Sequence, residues 1–278
     1  MKKSVTIAGG TTAAILLSLG LTATVAQAQR GAAAPRTPAA PSAAPAASAY
    51  SGPRTPDRKP DLNGIWQAVT TAHWNVEAHS AIEGIPAGMS VVEGGAIPYQ
   101  PAALAKRNEN FKNRLVADPL RRCFMPGVPR ATYLPFPFEI TQTPKHIGVA
   151  YEFAHATRTI FMDGTPHMED LDFWMGDGRG HWEGDTLVVD TVSLGDQTWF
   201  DEAGNFHSDA LKVVERFTPT DQAHISYEVT LDDSKVYTRP WKMSMMLYRR
   251  LEKNLELLDY ECVEHVYEKL FNKTASKP

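Results

Sequence analysis

The sequence contains little cysteine and lacks most of the short motifs that identify a known chemistry. Only two of its 278 residues are cysteine. It has no nucleophile elbow, phosphate-binding glycine loop, dinucleotide fingerprint, zinc-protease motif or C-x-x-C pair. We therefore predict a protein that works without a nucleotide or redox cofactor.

Basic residues are also scarce beyond residue 60. The chain holds 28 basic and 32 acidic residues. The first 60 residues contain seven of the basic residues and one of the acidic ones, so 21 basic and 31 acidic residues remain, with a net charge of −10. A domain of this charge repels phosphate backbones, and no basic stripe runs through it. We expect no nucleic-acid partner, and the sequence leaves the oligomeric state open.

The N-terminus has the pattern of a secretory signal peptide. Lys2 and Lys3 precede an apolar run over 13–21, and Ala26-Gln27-Ala28 is a typical cleavage site. The apolar run is shorter than the roughly 20 residues that cross a bilayer. We predict a signal peptide over 1–28, no membrane span, and a periplasmic or secreted protein.

The segment that follows is dominated by Ala, Pro and Ser, which bury too little apolar surface to offset the entropy of ordering. We predict a disordered linker over 29–60, one β-barrel domain over 61–271, and a flexible tail over 272–278. In an exported chain, Cys123 and Cys262 are expected to form a disulfide rather than remain as two buried thiols.

Most of the chain after Pro135 alternates apolar and polar residues in short segments separated by turns. This pattern indicates an all-β fold, either a lipocalin-like antiparallel β-barrel or a sandwich of about 8–10 strands. The predicted strands are 137–141, 146–153, 157–162, a hairpin over 181–192, 207–218, 224–231, 239–249 and 254–262.

One helix is predicted near 101–117. Pro101 suits a first helical turn, and the periodic pattern stops before Pro119. Leu104, Phe111 and Leu115 recur on one stripe, which we expect to face the core.

Strand alternation also assigns an inward face, and two interpretations of it stay open. The apolar side chains on this face either fill an ordinary core or line a cavity for a flat apolar molecule, since an eight-stranded barrel is about wide enough for one small ligand. The candidate ligand-binding residues are Tyr151, Phe153, Trp174, Trp199, Tyr227, Trp241, Met243 and Met245.

Two clusters of histidine and acid are the candidate sites of chemistry. On strand 207–218, His207 and Asp209 share the parity of the apolar residues, so we expect both at the barrel mouth. The second cluster lies in the segment 163–178 and includes His167, Glu169 and Asp170. We select these five residues as the candidate catalytic groups.

Three interpretations of these clusters compete. The residues either cap turns and pair with surface cations, or a histidine held by a carboxylate acts as an acid–base group. The third alternative is a divalent metal held by His167, Glu169, His207 and Asp209, although the spacing departs from the H-x-H pattern of metal-binding cupins.

Several segments carry a resemblance to a protein family. They are PDLNGIWQ, DPLRRCFMPGVPR, PFPFEITQTP, the run from WMGDGRGHWEGDTLVVDT to HSDALKVVERF, DDSKVYTRPW and ELLDYEC, which together cover most of 61–262. In these segments the chain resembles an uncharacterised family of exported bacterial all-β proteins. The resemblance implies one exported domain and transfers no reaction and no catalytic residue.

We therefore expect an exported protein that acts on a small apolar or aromatic molecule by cofactor-independent acid–base chemistry, as a lyase, isomerase or hydrolase. The alternatives are a non-catalytic periplasmic protein that binds such a molecule, and a structural protein of the cell envelope. A filled barrel interior would favour the last of these.

Overall fold

A computed structural model describes residues 50–82, 85–168 and 170–263. The predicted signal peptide, the first part of the predicted linker, the tail and Glu169 lie outside these residues.

Nine strands in the described residues form a closed barrel in which each strand pairs with the next and β1 pairs with β9. The strands are β1 (Gly64–Ala68), β2 (Phe138–Gln142), β3 (His146–Tyr151), β4 (Thr157–Phe161), β5 (Asp177–Glu183), β6 (Thr186–Val192), β7 (Lys212–Pro219), β8 (His224–Asp232) and β9 (Trp241–Arg249). The prediction of an all-β barrel is confirmed.

One strand pair of the barrel is parallel. Strand directions alternate from β1 to β4 and from β5 to β9, but an odd number of strands cannot alternate around a closed ring. The parallel pair is β4–β5, with Ile160 opposite Gly178. The connection 162–176 therefore runs along the outside of the barrel from one end to the other.

The strand boundaries differ from the prediction in several places. β1 was not predicted, and β5 begins at Asp177 rather than at residue 181. β7 begins at Lys212 rather than at residue 207. The segment 254–262 is not a strand, and its one bridge joins Phe153 to Tyr260.

The two ends of the barrel are closed in different ways. The hairpin end carries the short turns 143–145, 184–185 and 220–223. The cap end carries the long connections 69–137 and 193–211, which cover it and which we call the cap. The two connections bond to each other, for example where Tyr133 Oη donates to the carbonyl of Phe200 at 2.7 Å.

Helix α1 (Pro101–Ala117) has the predicted boundaries but not the predicted buried face. Leu104 and Leu115 are exposed, whereas Asn110 is buried and donates to the carbonyl of Gly204 at 3.2 Å. A Cβ on Gly204 would lie 2.6 Å from Cβ of Asn110, so this contact requires glycine. The helix packs on a polar loop of the cap, where apolar periodicity is not informative.

Two short helices complete the cap connection. A 3₁₀ helix spans Pro119–Arg122, and α2 spans Arg130–Tyr133. The predicted disulfide is present between Cys123 and Cys262, whose Cα atoms lie 5.5 Å apart. It joins the 3₁₀ helix to the C-terminal segment. No helix of the described residues is long and apolar enough to cross a membrane.

The last part of the predicted linker, residues 50–60, is ordered against the hairpin end. Tyr50 is buried, and Arg54 forms an ion pair with Asp185 at 2.7 Å. Farther along, Trp66 Nε1 donates to the carbonyl of Leu62 at 2.9 Å. Residues 50–63 therefore cover the hairpin end.

Candidate functional site

The barrel interior is filled by side chains. Tyr227 and Met243 have no accessible surface, and Tyr151 and Trp241 retain 5% and 2%. A void large enough for one water molecule would leave accessible surface on the atoms around it. Of the two interpretations that the sequence left open, the burial of these four residues favours the filled core over the ligand cavity.

The other four candidate ligand-binding residues lie outside this interior or at its edge. Phe153 packs with Phe136 and Tyr260 of the C-terminal segment, at ring distances of 5.5 and 5.3 Å. Met245 is partly buried against the core. Trp174 is exposed on the 162–176 connection, and Trp199 is half-buried in the cap.

A charged pair lies at the centre of the filled interior. Arg158 NH2 and Glu215 Oε2 are 2.7 Å apart, and the two side chains are 2% and 0% exposed. Tyr227 Oη donates to the second oxygen of Glu215 at 2.8 Å, and Arg158 also donates to Thr191. Sequence alternation placed Glu215 inward but gave no sign of its partner, because the two residues are 57 positions apart.

His207 and Asp209 are not brought together. His207 is buried in the cap, where its Nε2 lies 2.7 Å from Thr198 Oγ1 and its Nδ1 lies 2.8 Å from the carbonyl of Ser208. Burial lowers the pKa of His207. Asp209 is exposed and pairs with Lys235 at 2.6 Å. Residues 207–211 precede β7, so strand parity does not apply to them.

His207 and Asp209, two of the four residues proposed as a metal site, therefore have separate partners. Glu169, a third residue of that set, lies outside the described residues. Asp170, a candidate catalytic residue, is exposed, and its backbone φ is 60°. In the described part of the chain, no group of three or more His, Cys, Asp or Glu side chains is placed to hold a metal ion.

A buried carboxylate joins the two halves of the cap. Asp201 accepts hydrogen bonds from the backbone N–H of Val76 at 2.9 Å and from the side chain and backbone N–H of Asn205 at 2.6 and 3.1 Å. Burial raises the pKa of Asp201 from 3.8 to about 6, although these hydrogen bonds act in the opposite direction.

His73 contacts the residue that follows Asp201. The backbone carbonyl of His73 accepts a hydrogen bond from the N–H of Glu202 at 2.9 Å. The side chain of His73 is buried, and burial, assisted by the charge of Arg130, lowers its pKa from 6.5 to about 4. Arg130 itself forms a bidentate pair with Asp118, with both N–O distances 2.8 Å. No pattern in the sequence indicated these cap residues.

His167 is the predicted site residue that the structure holds against a carboxylate. Its Nδ1 lies 3.0 Å from Oδ2 of the buried Asp177, and its Nε2 lies 3.6 Å from Oδ2 of Asp190. The His167 side chain is 27% exposed, so solvent reaches the ring. With a proton on Nδ1, the ring donates to Asp177 and carries its lone pair on Nε2, which faces the exposed carboxylate of Asp190.

Asp177 is fixed from several directions. It accepts from the backbone N–H of Met168 at 2.9 Å and forms an ion pair with Arg179, also at 2.9 Å. Burial alone would raise the pKa of Asp177, but the bonds from Met168, His167 and Arg179 lower it below 3.8. The partner of His167 is thus Asp177, the first residue of β5, ten positions away. The glycines around Asp177 in the sequence indicated only turns.

Comparisons with known proteins do not assign this geometry to a family. No protein-family model matches the chain, and no curated protein is similar to it.

Proposed function

We propose that this is an exported protein in which His167, oriented by Asp177, acts as a general acid–base group on a small apolar or aromatic molecule. The observation that carries the proposal is the 3.0 Å contact between His167 Nδ1 and a buried carboxylate, with the imidazole still open to solvent.

The arrangement suits proton transfer for a physical reason. A carboxylate on Nδ1 fixes the tautomer, aims Nε2 outward and stabilises the imidazolium that forms when Nε2 takes a proton. Asp177 suits this role because its lowered pKa keeps it ionised. The backbone N–H of Met168 and the guanidinium of Arg179 also hold its carboxylate, so it stays in place while the proton moves.

The surface beside His167 supports an apolar or aromatic substrate. Met168, Leu171 and Trp174 are exposed on the same connection. Trp174 is held by Phe124 at a ring distance of 4.9 Å, so it presents a rigid aromatic surface. Since the interior is filled, the substrate is expected on the outside of the barrel.

Export is supported by two observations. The Cys123–Cys262 disulfide persists in oxidising compartments, and the N-terminal 28 residues have the signal-peptide pattern. Fractionation of cells that produce the full chain should place a shortened, oxidised protein outside the cytoplasm. A full-length protein in the cytoplasm would contradict this part of the proposal.

The hydrolysis of 4-nitrophenyl acetate tests the acid–base assignment. Water attacks the ester carbonyl and passes its proton to Nε2 of His167, while the bond to 4-nitrophenolate breaks. We expect His167→Gln to lower kcat/KM about 100-fold, the low end for loss of a general base. His181→Gln is the matched control, because His181 is exposed and contacts a surface carboxylate, Glu183, at 3.2 Å. It should keep the wild-type rate.

Asp177→Asn should lower kcat and shift the pH–rate profile, while the denaturant midpoint checks that the variant remains folded. Equal rates for wild type and His167→Gln would overturn the assignment. A wild-type rate no higher than that of free imidazole at the same concentration would do the same.

A further inference from the structure

A depression at the hairpin end contains Arg249, which has no acidic partner among the described residues. The depression has a volume of about 320 Å³ and is lined by Pro53, Asp61, Gln222, Ala223, Arg249 and Leu251. This volume is at the lower end of the range of small-molecule sites. It lies away from His167, whose partner Asp177 begins β5 at the cap end, so it is independent of the function proposed above.

Arg249 is held in a fixed orientation. Its guanidinium donates only to backbone carbonyls, those of Gln222 at 2.7 Å, Asp61 at 3.0 Å and Asn63. The guanidinium carbon also lies 4.2 Å from the centre of the Trp66 ring. These contacts use three of its five N–H groups and leave two for a ligand. An immobilised guanidinium loses little further entropy when it binds.

Arg249 is half-buried, and it lacks the direct carboxylate partner that three other buried or half-buried arginines have. Arg130, Arg158 and Arg179 each form an ion pair with a carboxylate at 2.7–2.9 Å. Arg249 has no carboxylate within 4 Å among the described residues. Burial lowers the pKa of Arg249, in keeping with the absence of a contacting carboxylate.

The nearest acid, Asp61, is already engaged. Its Oδ1 accepts from the backbone and side-chain N–H groups of Asn63 at 3.0 and 2.7 Å. Its charge acts on Arg249 from a distance and offsets part of the burial effect. A second negative charge in the depression would be repelled by Asp61, so the geometry favours a ligand with one negative charge.

We propose that this depression binds a small organic monocarboxylate, whose carboxylate pairs with Arg249 and whose apolar part contacts Pro53, Ala223 and Leu251. A planar carboxylate matches the two N–H groups that Arg249 has left, because guanidinium and carboxylate form parallel hydrogen bonds. The apolar side chains that line the same depression favour an organic acid over an inorganic anion.

Benzoate is the probe, and its neutral analogue benzamide has the same ring and size. Two-dimensional NMR of the labelled full chain should show millimolar benzoate shifting the amide signals of Ala223 and Leu251. Benzamide should bind at least about tenfold more weakly, since it lacks the charge-assisted hydrogen bonds. Arg249→Gln should abolish the shifts, whereas Arg216→Gln, which removes an exposed arginine paired with Glu183, should leave them unchanged.

A second variant covers the case in which Arg249→Gln unfolds the hairpin end. Leu251→Glu keeps Arg249 and places a competing carboxylate at the exposed rim, so it should weaken benzoate binding about tenfold or more, while Leu251→Gln should not. Equal binding of benzoate and benzamide would overturn the proposal. So would the absence of benzoate shifts at Ala223 and Leu251 up to about 10 mM, a weak limit even for a ligand of this size.

Discussion

Inside the barrel, the buried charges of Arg158 and Glu215 face each other at 2.7 Å, and tyrosine and threonine hydroxyls complete the arrangement. In the cap, the described partners of Asp201 are neutral N–H groups, and His73 is buried as a neutral ring. The barrel pair has its charge cancelled by direct contact, as have Arg130 and Asp118 in the cap, whereas Asp201 and His73 have no such contact in the described residues.

This difference predicts where the fold responds to pH. A matched buried ion pair keeps its charges across the ordinary pH range, because each charge stabilises the other. A carboxyl with a pKa of about 6 and a histidine with a pKa of about 4 instead change charge as the pH passes each of these values. We expect the barrel pair to determine how much stability is lost on mutation, and the cap to determine how stability varies with pH.

The largest predicted effect comes from breaking the barrel pair. Glu215→Gln leaves Arg158 buried without a counter-charge, which is expected to reduce the free energy of unfolding by about 3–5 kcal/mol. Urea denaturation at pH 7 measures this loss. The double variant Arg158→Met with Glu215→Leu removes both charges and should recover most of it.

Glu183→Gln is the control for this experiment. Glu183 pairs with Arg216 at 2.8 Å on the outside of the same sheet, where water screens the charge. We expect no clear change in its urea midpoint. If Glu215→Gln were no more destabilising than this control, the interior pair would not be the buried contact described above.

The second prediction concerns Asp201. Its pKa is about 6 in the folded protein and 3.8 ordinarily, so between these values the folded state binds the additional proton. Asp201 therefore contributes stability that is present at low pH and lost as pH rises through 6. The difference of about two units corresponds to about 3 kcal/mol. Asp201→Asn removes this contribution, so relative to wild type it should lose stability as pH falls from 6 to 4.

His73 is predicted to act with the opposite sign. Its pKa falls from 6.5 to about 4 on folding, so the unfolded chain binds the proton between these values, and stability is lost as pH falls. His73→Gln should therefore become more stable than wild type by about 3 kcal/mol as pH falls from 7 to 4. Urea midpoints of both variants across this range should diverge from wild type in opposite directions. Parallel curves would show that these two groups do not titrate as their burial implies.

The sequence predicted the barrel better than the cap for a structural reason. Alternation over Ile225, Tyr227, Val229 and Leu231 fixes a strand and its inward face, and all four are fully buried in β8. In the cap, the backbone has no period that assigns a side chain to one face. Extending the parity of β7 back to His207 and Asp209 therefore failed, since the strand begins only at Lys212.

The candidate site was predictable in part. The pattern identified His167 as a histidine near acids, but its partner Asp177 lies in β5. The two residues meet because the parallel β4–β5 pair directs the 162–176 connection along the barrel wall. Likewise, nothing in the sequence shows that Arg249 stacks on Trp66, 183 positions earlier. Contacts between distant segments need the closed sheet to be known.

The smallest predicted effect belongs to Asp209, and it is best measured beside His207. The two were predicted as one functional pair, yet His207 is 2% exposed and bonded to Thr198, whereas Asp209 is exposed and pairs with the mobile end of a lysine side chain. His207→Ala removes a buried ring and leaves the Thr198 hydroxyl without this partner, so we expect a loss of about 2–4 kcal/mol. Asp209→Ala should leave the urea midpoint unchanged, because an exposed ion pair is screened by water.

In the nitrophenyl acetate assay, both variants should keep the wild-type rate under conditions where they are folded, since neither residue contacts His167. A stable His207→Ala variant that had lost the activity would instead place the acid–base site in the cap.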